Sequence, residues 1–301
     1  MTPDPHESIR VPVEPGVALH AVAAGPPGGP VVVLLHGFPE FWYGWRRQIG
    51  PLAKGGFRVI VPDQRGYGLS DRPAGVEAYR LDRLAADVVA IADHFGAETI
   101  DLVGHDWGGV VAWWVAARHP LRVRRLVVIN APHPVAAVRY ARKHRTQLRR
   151  SWYVAFFQLP VLPEWVLARG GYRLLQRALQ APAPPGLFGP AEIAAYREAW
   201  SRRGALTAMI NWYRALRGFR ARGARARIRM PALILWGARD PFLEPGLAEA
   251  SAVLCDGATV FRYEDAGHWL QHERSGPVNA AILQFLDGGR RSAREAPHGG
   301  G

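Results

Sequence analysis

Short apolar runs alternate with longer amphipathic segments along most of the 301-residue chain. The run at 31–35, Val-Val-Val-Leu-Leu, is rich in β-branched residues and is followed closely by Gly37, as expected for a strand buried on both faces. Runs of this kind predict strands at 17–23, 31–35, 58–62, 99–104, 124–129, 232–237 and 258–263. Periodic segments predict helices at 42–54, 80–96, 107–118, 245–254 and 275–287. The alternation indicates an α/β protein with a mostly parallel central sheet flanked by helices.

The alternation stops between about 133 and 225, where the sequence is helical in character and rich in Trp and Arg. A Pro- and Gly-rich loop at 181–190 divides this region. We therefore predict a core domain formed by 1–132 and 226–289, with a helical lid inserted at 133–225. The Gly- and Arg-rich tail at 290–301 is predicted to be disordered.

The chain is strongly basic, with a net charge of +13, and its densest arginine runs lie at 139–150 and 217–229. Such runs indicate either an anionic partner or a solvated face; because no nucleic-acid-binding motif accompanies them, we expect no nucleic-acid partner. A single cysteine, Cys255, excludes an intrachain disulfide. Without an N-terminal signal or an apolar run of membrane-spanning length, we expect a cytoplasmic protein with no membrane span. The sequence indicates no oligomeric state.

Gly104-His105-Asp106-Trp107-Gly108 stands between a predicted strand and a predicted helix. It resembles the G-x-S-x-G nucleophile elbow of the α/β-hydrolases, with aspartate in place of serine. Asp240 follows a late strand and His268 precedes the last helix, in the chain order nucleophile, acid, histidine. Taken singly, an aspartate after a strand is more often a cap or turn residue and a histidine beside glycine a surface one. Together, at successive strand ends, they predict a catalytic triad, with His105 packed away from the pocket.

An aspartate nucleophile predicts chemistry different from that of a serine. Its carboxylate is ionised at neutral pH and can displace a leaving group from an sp³ carbon, which forms an alkyl ester of Asp106. His268, oriented by Asp240, would then activate water to attack that ester. The backbone N–H groups of Phe38 and Trp107 are predicted to form the oxyanion hole. This chemistry opens epoxides or releases halide from alkyl halides, and the triad does not distinguish the two.

The leaving group separates these two reactions, because a departing alkoxide needs a proton donor and a halide does not. The insert contains Tyr153 and Tyr213, whose phenols are protonated at neutral pH and can donate to an oxyanion. Considered alone, each tyrosine is more often a core residue. We expect an apolar pocket between lid and core, with walls drawn from Phe38, Trp107, His36, Pro39, Trp42 and Trp113; for the last two, core packing is the alternative.

Several blocks together resemble the α/β-hydrolase-fold epoxide hydrolases, especially the soluble type. They include "HGFPEFWYGWRRQI" (36–49), "DQRGYGLSDRP" (63–73), "GHDWGG" (104–109), "YVAFFQ" (153–158), "NWYR" (211–214), "WGARD" (236–240) and "GHWLQHE" (267–273). The resemblance implies hydrolysis of a small apolar epoxide to a vicinal diol, without metal or cofactor. It implies that Asp106 is the nucleophile, His268 the base and Asp240 the charge-relay acid, and that Tyr153 and Tyr213 polarise the epoxide oxygen. Ala155 and Phe156 depart from the Leu and Tyr of the vertebrate enzymes, which puts that pocket wall in question.

The closest alternative is a haloalkane dehalogenase, since those enzymes also place an indole where this chain has Trp107. They typically carry Asn at the position of Phe38 and lack the paired lid tyrosines, so the sequence favours an epoxide. Fluoroacetate dehalogenases usually have Arg after the nucleophile, and a serine esterase is incompatible with Asp106 in the elbow. A non-catalytic small-molecule-binding protein on the same fold would be expected to have a broken triad, whereas every position is filled here.

Overall fold

The computed structural model describes residues 6–219 and 226–295 of the chain, with side chains up to Gly288. Eight strands form one sheet: β1 (Glu7–Glu14), β2 (Val17–Ala24), β3 (Val31–Leu35), β4 (Arg58–Pro62), β5 (Ile100–His105), β6 (Val123–Ile129), β7 (Ala232–Gly237) and β8 (Ala258–Tyr263). Their order across the sheet is β1-β2-β4-β3-β5-β6-β7-β8. β2 is antiparallel to both of its neighbours, and β4 to β8 run parallel with β3.

Helices cover both faces of the sheet. They are α1 (Arg46–Lys54), α2 (Leu81–His94), α3 (Trp107–Arg118), α4 (Pro134–Ala141), α5 (Arg145–Arg150), α6 (Trp152–Phe156), α7 (Leu162–Gln180), α8 (Pro190–Ser201), α9 (Ala205–Arg214), α10 (Gly246–Ala252), α11 (Leu270–Glu273) and α12 (Ser275–Glu295). Successive side chains of β3 point to opposite faces, so that Val33 and Leu35 join a core with α2 and α3 while Val32 and Leu34 join one with α1 and α12. A strand buried on both faces needs a continuous apolar run, which is what β3 has.

All seven predicted strands are present, and the predicted class, a mostly parallel sheet flanked by helices, is confirmed. β1 was not predicted, because its residues alternate in polarity and are mostly solvent-accessible at the sheet edge. The predicted helix at 42–54 begins with a 3₁₀ turn at Trp42–Trp45 before α1. None of the helices in the described ranges is long and apolar enough to span a membrane.

Helices α4 to α9 lie between β6 and β7, in the region predicted as an insert. α7 is interrupted at 169–172, where Gly170, Gly171 and Tyr172 have positive φ values. At the other end of the chain, α12 extends to Glu295, six residues into the segment for which the sequence predicts disorder. The sequence between 290 and 296 contains no Gly or Pro. Residues 296–301 lie outside the described part of the chain.

Candidate active site

The carboxyl ends of five adjacent strands form the floor of the candidate site. β3, β5, β6, β7 and β8 are successive neighbours in the sheet, and the chain segments that follow them carry Phe38, Asp106, Asn130, Asp240 and His268, respectively. Parallel strands of an open sheet present these ends at one edge, where ligands of such folds bind. The sheet order therefore brings together residues that are up to 230 positions apart in sequence.

Asp106 occupies a tight turn between β5 and α3, with φ 49° and ψ −123°. A non-glycine residue in this region of φ/ψ space is strained and is held there by its surroundings. The turn is possible because Gly108 has no side chain; a Cβ at that position would overlap the backbone carbonyl of Leu35. Gly37 likewise allows the loop after β3 to approach the Asp106 carboxylate. The strained turn places the carboxylate at the end of the strand.

A backbone donor already holds one oxygen of this carboxylate. The N–H of Phe38 donates to Oδ1 of Asp106 at 2.9 Å. Trp107 is the first residue of α3, a position whose backbone N–H has no acceptor within the helix. The two N–H groups that the sequence analysis selected as an oxyanion hole therefore both lie beside Asp106.

His268 faces Asp106 on one side and Asp240 on the other. Its Nδ1–H donates to Oδ2 of Asp240 at 2.7 Å, and its Nε2 lies 3.8 Å from Oδ2 of Asp106. Asp240 is fixed in turn by the side-chain amide of Asn130 at 2.8 Å and by the backbone N–H of Phe242 at 2.7 Å. Asn130 was not predicted as a site residue, although its position directly after a central strand was an available signal.

These charges set the pKa values of the group. Burial lowers the pKa of His268, but the neighbouring charge of Asp240, the hydrogen bond to it and the charge of Asp106 outweigh this effect and raise that pKa to about 9. For Asp240, burial acts to raise the pKa, and the attraction of His268 together with the hydrogen bonds it accepts lowers it overall. At neutral pH the resting site thus holds a protonated imidazole between two carboxylates.

A cavity of about 780 Å³ opens above this group. Asp106 and His268 lie in its wall with Tyr153 of α6 and Tyr213 of α9, whose ring centroids are 5.9 Å apart. Burial raises the pKa of both phenols, and the nearby charge of Asp106 adds to that effect. Both tyrosines therefore keep their protons at neutral pH and can donate them. Apolar side chains form much of the remaining wall, including Phe156, Phe157, Leu167, Leu175, Phe242 and Trp269.

Two further aromatic residues contact the reactive groups, and the sequence analysis did not select either. Phe157 packs edge-on against Tyr213, with ring centroids 4.8 Å apart. Phe242 packs edge-on against His268 at 5.1 Å. Phe157 lies in the block "YVAFFQ" and Phe242 two residues after Asp240, so proximity in sequence was the available signal.

The predicted pocket walls are only partly correct. Phe38 and Pro39 line the cavity, and Trp107 lies behind it, buried against the ring of Tyr213 at 5.0 Å. His36, Trp42 and Trp113 do not line it.

Each of these three residues has a structural role elsewhere. The imidazole of His36 accepts a hydrogen bond from the backbone N–H of Gln64 at 3.0 Å, beneath the loop that follows β3. Trp113 is fully buried in the core and donates to the carbonyl of Ala131 at 3.0 Å. The ring of Trp42 packs against neighbouring aromatic residues such as Tyr43.

A buried polar cluster connects the loop that carries His268 with α8. Glu40 accepts hydrogen bonds from the hydroxyl of Tyr196 at 2.6 Å and from His272 at 2.8 Å. Burial opposes its ionisation, but His272 and His105 together hold the pKa of Glu40 well below its ordinary value. His105 also bonds the carbonyl oxygen of His268 at 2.9 Å and is absent from the cavity wall. The cluster fixes the backbone of His268 from behind.

Comparison with known proteins identifies the family of this chain independently of the site geometry. Residues 30–275 match the α/β hydrolase fold family. The chain is 43% identical over 271 residues to the AB hydrolase superfamily protein YfhM of Bacillus subtilis, covering 90% of this chain and 95% of that protein. It is 38% identical to epoxide hydrolase 4 of Mus musculus, covering 93% of this chain and 79% of that protein.

Solved structures extend the comparison to the fold. The epoxide hydrolase of Bacillus megaterium, solved in complex with an inhibitor, superimposes with a TM-score of 0.85 at 30% sequence identity, covering 93% of this chain and 100% of that one. Family, relatives and fold agree over nearly the whole described chain. The protein therefore belongs to the epoxide hydrolases of the α/β-hydrolase fold.

Proposed function

We propose that this protein hydrolyses an apolar epoxide to a vicinal diol through a covalent ester on Asp106. One observation carries the proposal: a single apolar cavity presents the carboxylate of Asp106, the imidazole of His268 and the phenols of Tyr153 and Tyr213. A carboxylate nucleophile facing two protonated phenols suits an electrophile whose leaving oxygen stays attached to the substrate. A halide would require no such proton donor.

In the first step, Oδ2 of Asp106 attacks a ring carbon, because Oδ1 is already bound to the N–H of Phe38. A carbon–oxygen bond forms and the ring carbon–oxygen bond breaks. The departing oxygen takes a proton from one of the two tyrosines. Because burial raises the pKa of both phenols, the resulting phenolate is strongly basic and regains its proton from the imidazolium of His268.

In the second step, neutral His268 acts as a general base. Ester formation removes the negative charge that lies 3.8 Å from Nε2, so the pKa of His268 falls and the imidazole can accept a proton from water. The hydroxide attacks the ester carbonyl carbon, and the N–H groups of Phe38 and Trp107 stabilise the oxyanion that develops. Collapse of this intermediate breaks the bond between the ester carbon and the substrate oxygen. The departing alkoxide takes the proton of the newly added hydroxyl group, which releases the diol and restores the carboxylate of Asp106 beside the imidazolium of His268.

We further propose that the insert predicted at 133–225 forms a lid over the core predicted at 1–132 and 226–289. Of these ranges, 1–5 and 220–225 lie outside the described residues. Tyr153 and Tyr213 come from helices of this segment, while Asp106 and His268 come from the loops of the sheet. Substrate binding between the two parts would exclude bulk water from the ester until His268 directs one water molecule to it.

The experiment that tests the proposed function is intact and peptide mass spectrometry of a His268→Gln variant mixed with a simple aryl epoxide. Loss of the base halts the reaction at the ester, so we expect an adduct with the mass of the whole epoxide on the peptide containing Asp106. The double variant Asp106→Asn/His268→Gln is the matched control and should remain unmodified. An alkyl adduct with bromide release from a bromoalkane, but none from the epoxide, would instead assign a dehalogenase.

A further inference from the structure

Exposed apolar side chains are concentrated in one part of the insert. Six of the eleven large apolar residues that are exposed in the described chain lie between 152 and 174. They form what we call the apolar rim: Trp152, Leu159, Val161, Leu162, Trp165 and Leu174. Val161 is 74% exposed and Trp152 65% exposed. Water-exposed groups of this size in one segment usually mark an interaction surface.

The apolar rim is continuous with the mouth of the active-site cavity. Trp152 and Leu174 are exposed to solvent and also line the cavity wall. Val166 lines the wall as well, and it lies one helical turn after Leu162 on α7, so the two side chains share a face. A molecule that enters the cavity from this side therefore passes the rim.

Positive charge surrounds the rim. Between 134 and 180 the chain contains nine Lys and Arg residues and one acidic residue, Glu164. That carboxylate is already paired with Arg214 at 2.6 Å. Arg149 lines the cavity mouth and is exposed, and the guanidinium of Arg169 lies 4.9 Å from the ring centroid of Trp165. The rim thus combines protruding Trp and aliphatic groups with a basic segment of the chain whose one carboxylate is already paired.

We propose that the apolar rim docks on an anionic lipid bilayer, and that the cavity takes lipophilic epoxides directly from the lipid. Tryptophan and aliphatic side chains enter the headgroup region, while flanking arginines contact anionic headgroups. The segment Leu159–Trp165 is suited to this position, because its single charge, on Glu164, is neutralised within the protein. Docking stands independently of the proposed function, whereas uptake of an epoxide from lipid rests on it.

The test is co-sedimentation with vesicles of phosphatidylcholine alone or of phosphatidylcholine and phosphatidylglycerol in equal parts. The variant is Val161→Asp, which suits the positive φ of 60° at this exposed position better than valine does. The matched control is Val253→Asp, the same substitution at a residue that is 73% exposed on the core. Neither side chain lines the cavity. Both variants should therefore keep the wild-type rate on a water-soluble epoxide.

We expect the wild type and Val253→Asp to bind the mixed vesicles, and Val161→Asp to bind them about tenfold or more weakly, since burial of a valine side chain is lost and a charge is added. Hydrolysis of a long-chain epoxide dissolved in the vesicles should fall in parallel for Val161→Asp only. Binding is also measured with Asp106→Asn, which should bind the vesicles as the wild type does and hydrolyse no epoxide. Wild-type protein that binds vesicles but hydrolyses no epoxide would contradict the proposed function and leave docking intact.

Three results would overturn the docking proposal. One is the absence of wild-type binding to the mixed vesicles. The second is equal binding by Val161→Asp and the wild type, which would reduce the interaction to charge adhesion away from the rim. The third is a dimer in lipid-free solution that Val161→Asp dissociates, measured by light scattering, which would assign the rim to a second copy of the chain.

Discussion

In the proposed mechanism, the pKa of His268 should fall when Asp106 loses its negative charge. The substitution Asp106→Asn reproduces that loss without adding bulk. In the native protein the pKa of His268 is raised to about 9, in part by the carboxylate of Asp106 at 3.8 Å. Two unit charges at that separation attract each other by about 4 kcal/mol at an effective dielectric constant of about 20. That energy corresponds to a change of about 3 in pKa. Asp106 is partly solvated, so we expect the pKa of His268 to fall by about 1 to 3.

The direction of this change in the pKa of His268 follows from the charges of the two groups. The carboxylate stabilises the imidazolium, so its replacement by a neutral amide favours the imidazole and moves the pKa downward, toward or below neutrality. The ring nitrogens of His268 can be titrated by NMR, with His268→Gln used to assign their signals among the 11 histidines. Asp265→Asn is a suitable control, because it removes a carboxylate from the same loop that is exposed and paired with Arg274. Its effect on the pKa of His268 should be small.

Two outcomes would refute this reasoning. If the pKa of His268 is unchanged in Asp106→Asn, the two groups are not electrostatically coupled, and ester formation cannot convert the imidazolium into a base. If the wild-type pKa lies below 7, the imidazole is neutral in the resting enzyme and needs no such conversion. In the second case the proton that restores the tyrosine would have to come from another donor.

Three other substitutions separate the parts of the mechanism. Tyr213→Phe should slow alkylation by about 10- to 1000-fold and leave ester hydrolysis nearly intact, measured in single-turnover experiments; an unchanged alkylation rate would remove Tyr213 from the mechanism. Asp240→Asn should slow hydrolysis of the ester by about 100-fold or more, because His268 loses its orienting acceptor and its charge partner; rapid decay of a trapped ester would contradict this. Gly108→Ala should cost about 1–3 kcal/mol of stability, since the added methyl overlaps the backbone of β3, whereas Gly257→Ala, in open space, should leave the thermal midpoint unchanged.

The sheet could be predicted from the sequence because its central strands are apolar runs with sharp ends. β3 and β4 were predicted with the bounds that the structure has, since each is buried on both faces. The insert could not be resolved into α4 to α9. No Gly or Pro marks the breaks between α4, α5 and α6, and the helices of the insert pack mainly on other helices rather than on the sheet. A polarity pattern carries little information about where such helices begin.

The reactive groups were predictable for a related reason, and the pocket wall was not. Asp106, Asp240 and His268 come at strand ends, so their order in the chain and the parallel sheet together determine that they meet. Which aromatic side chains line the cavity depends instead on the direction in which each side chain points from its helix. Trp113 lies six residues after Trp107 on α3, which places it about 120° away around the helix axis and turns it into the core. The lid side chains that bound the cavity are positioned by helix packing in the insert, for which the sequence has no comparable rule. The carboxylates and the imidazole of the proposed mechanism are therefore positioned by the sheet, whereas its two tyrosines and the apolar wall are positioned by helix packing in the insert.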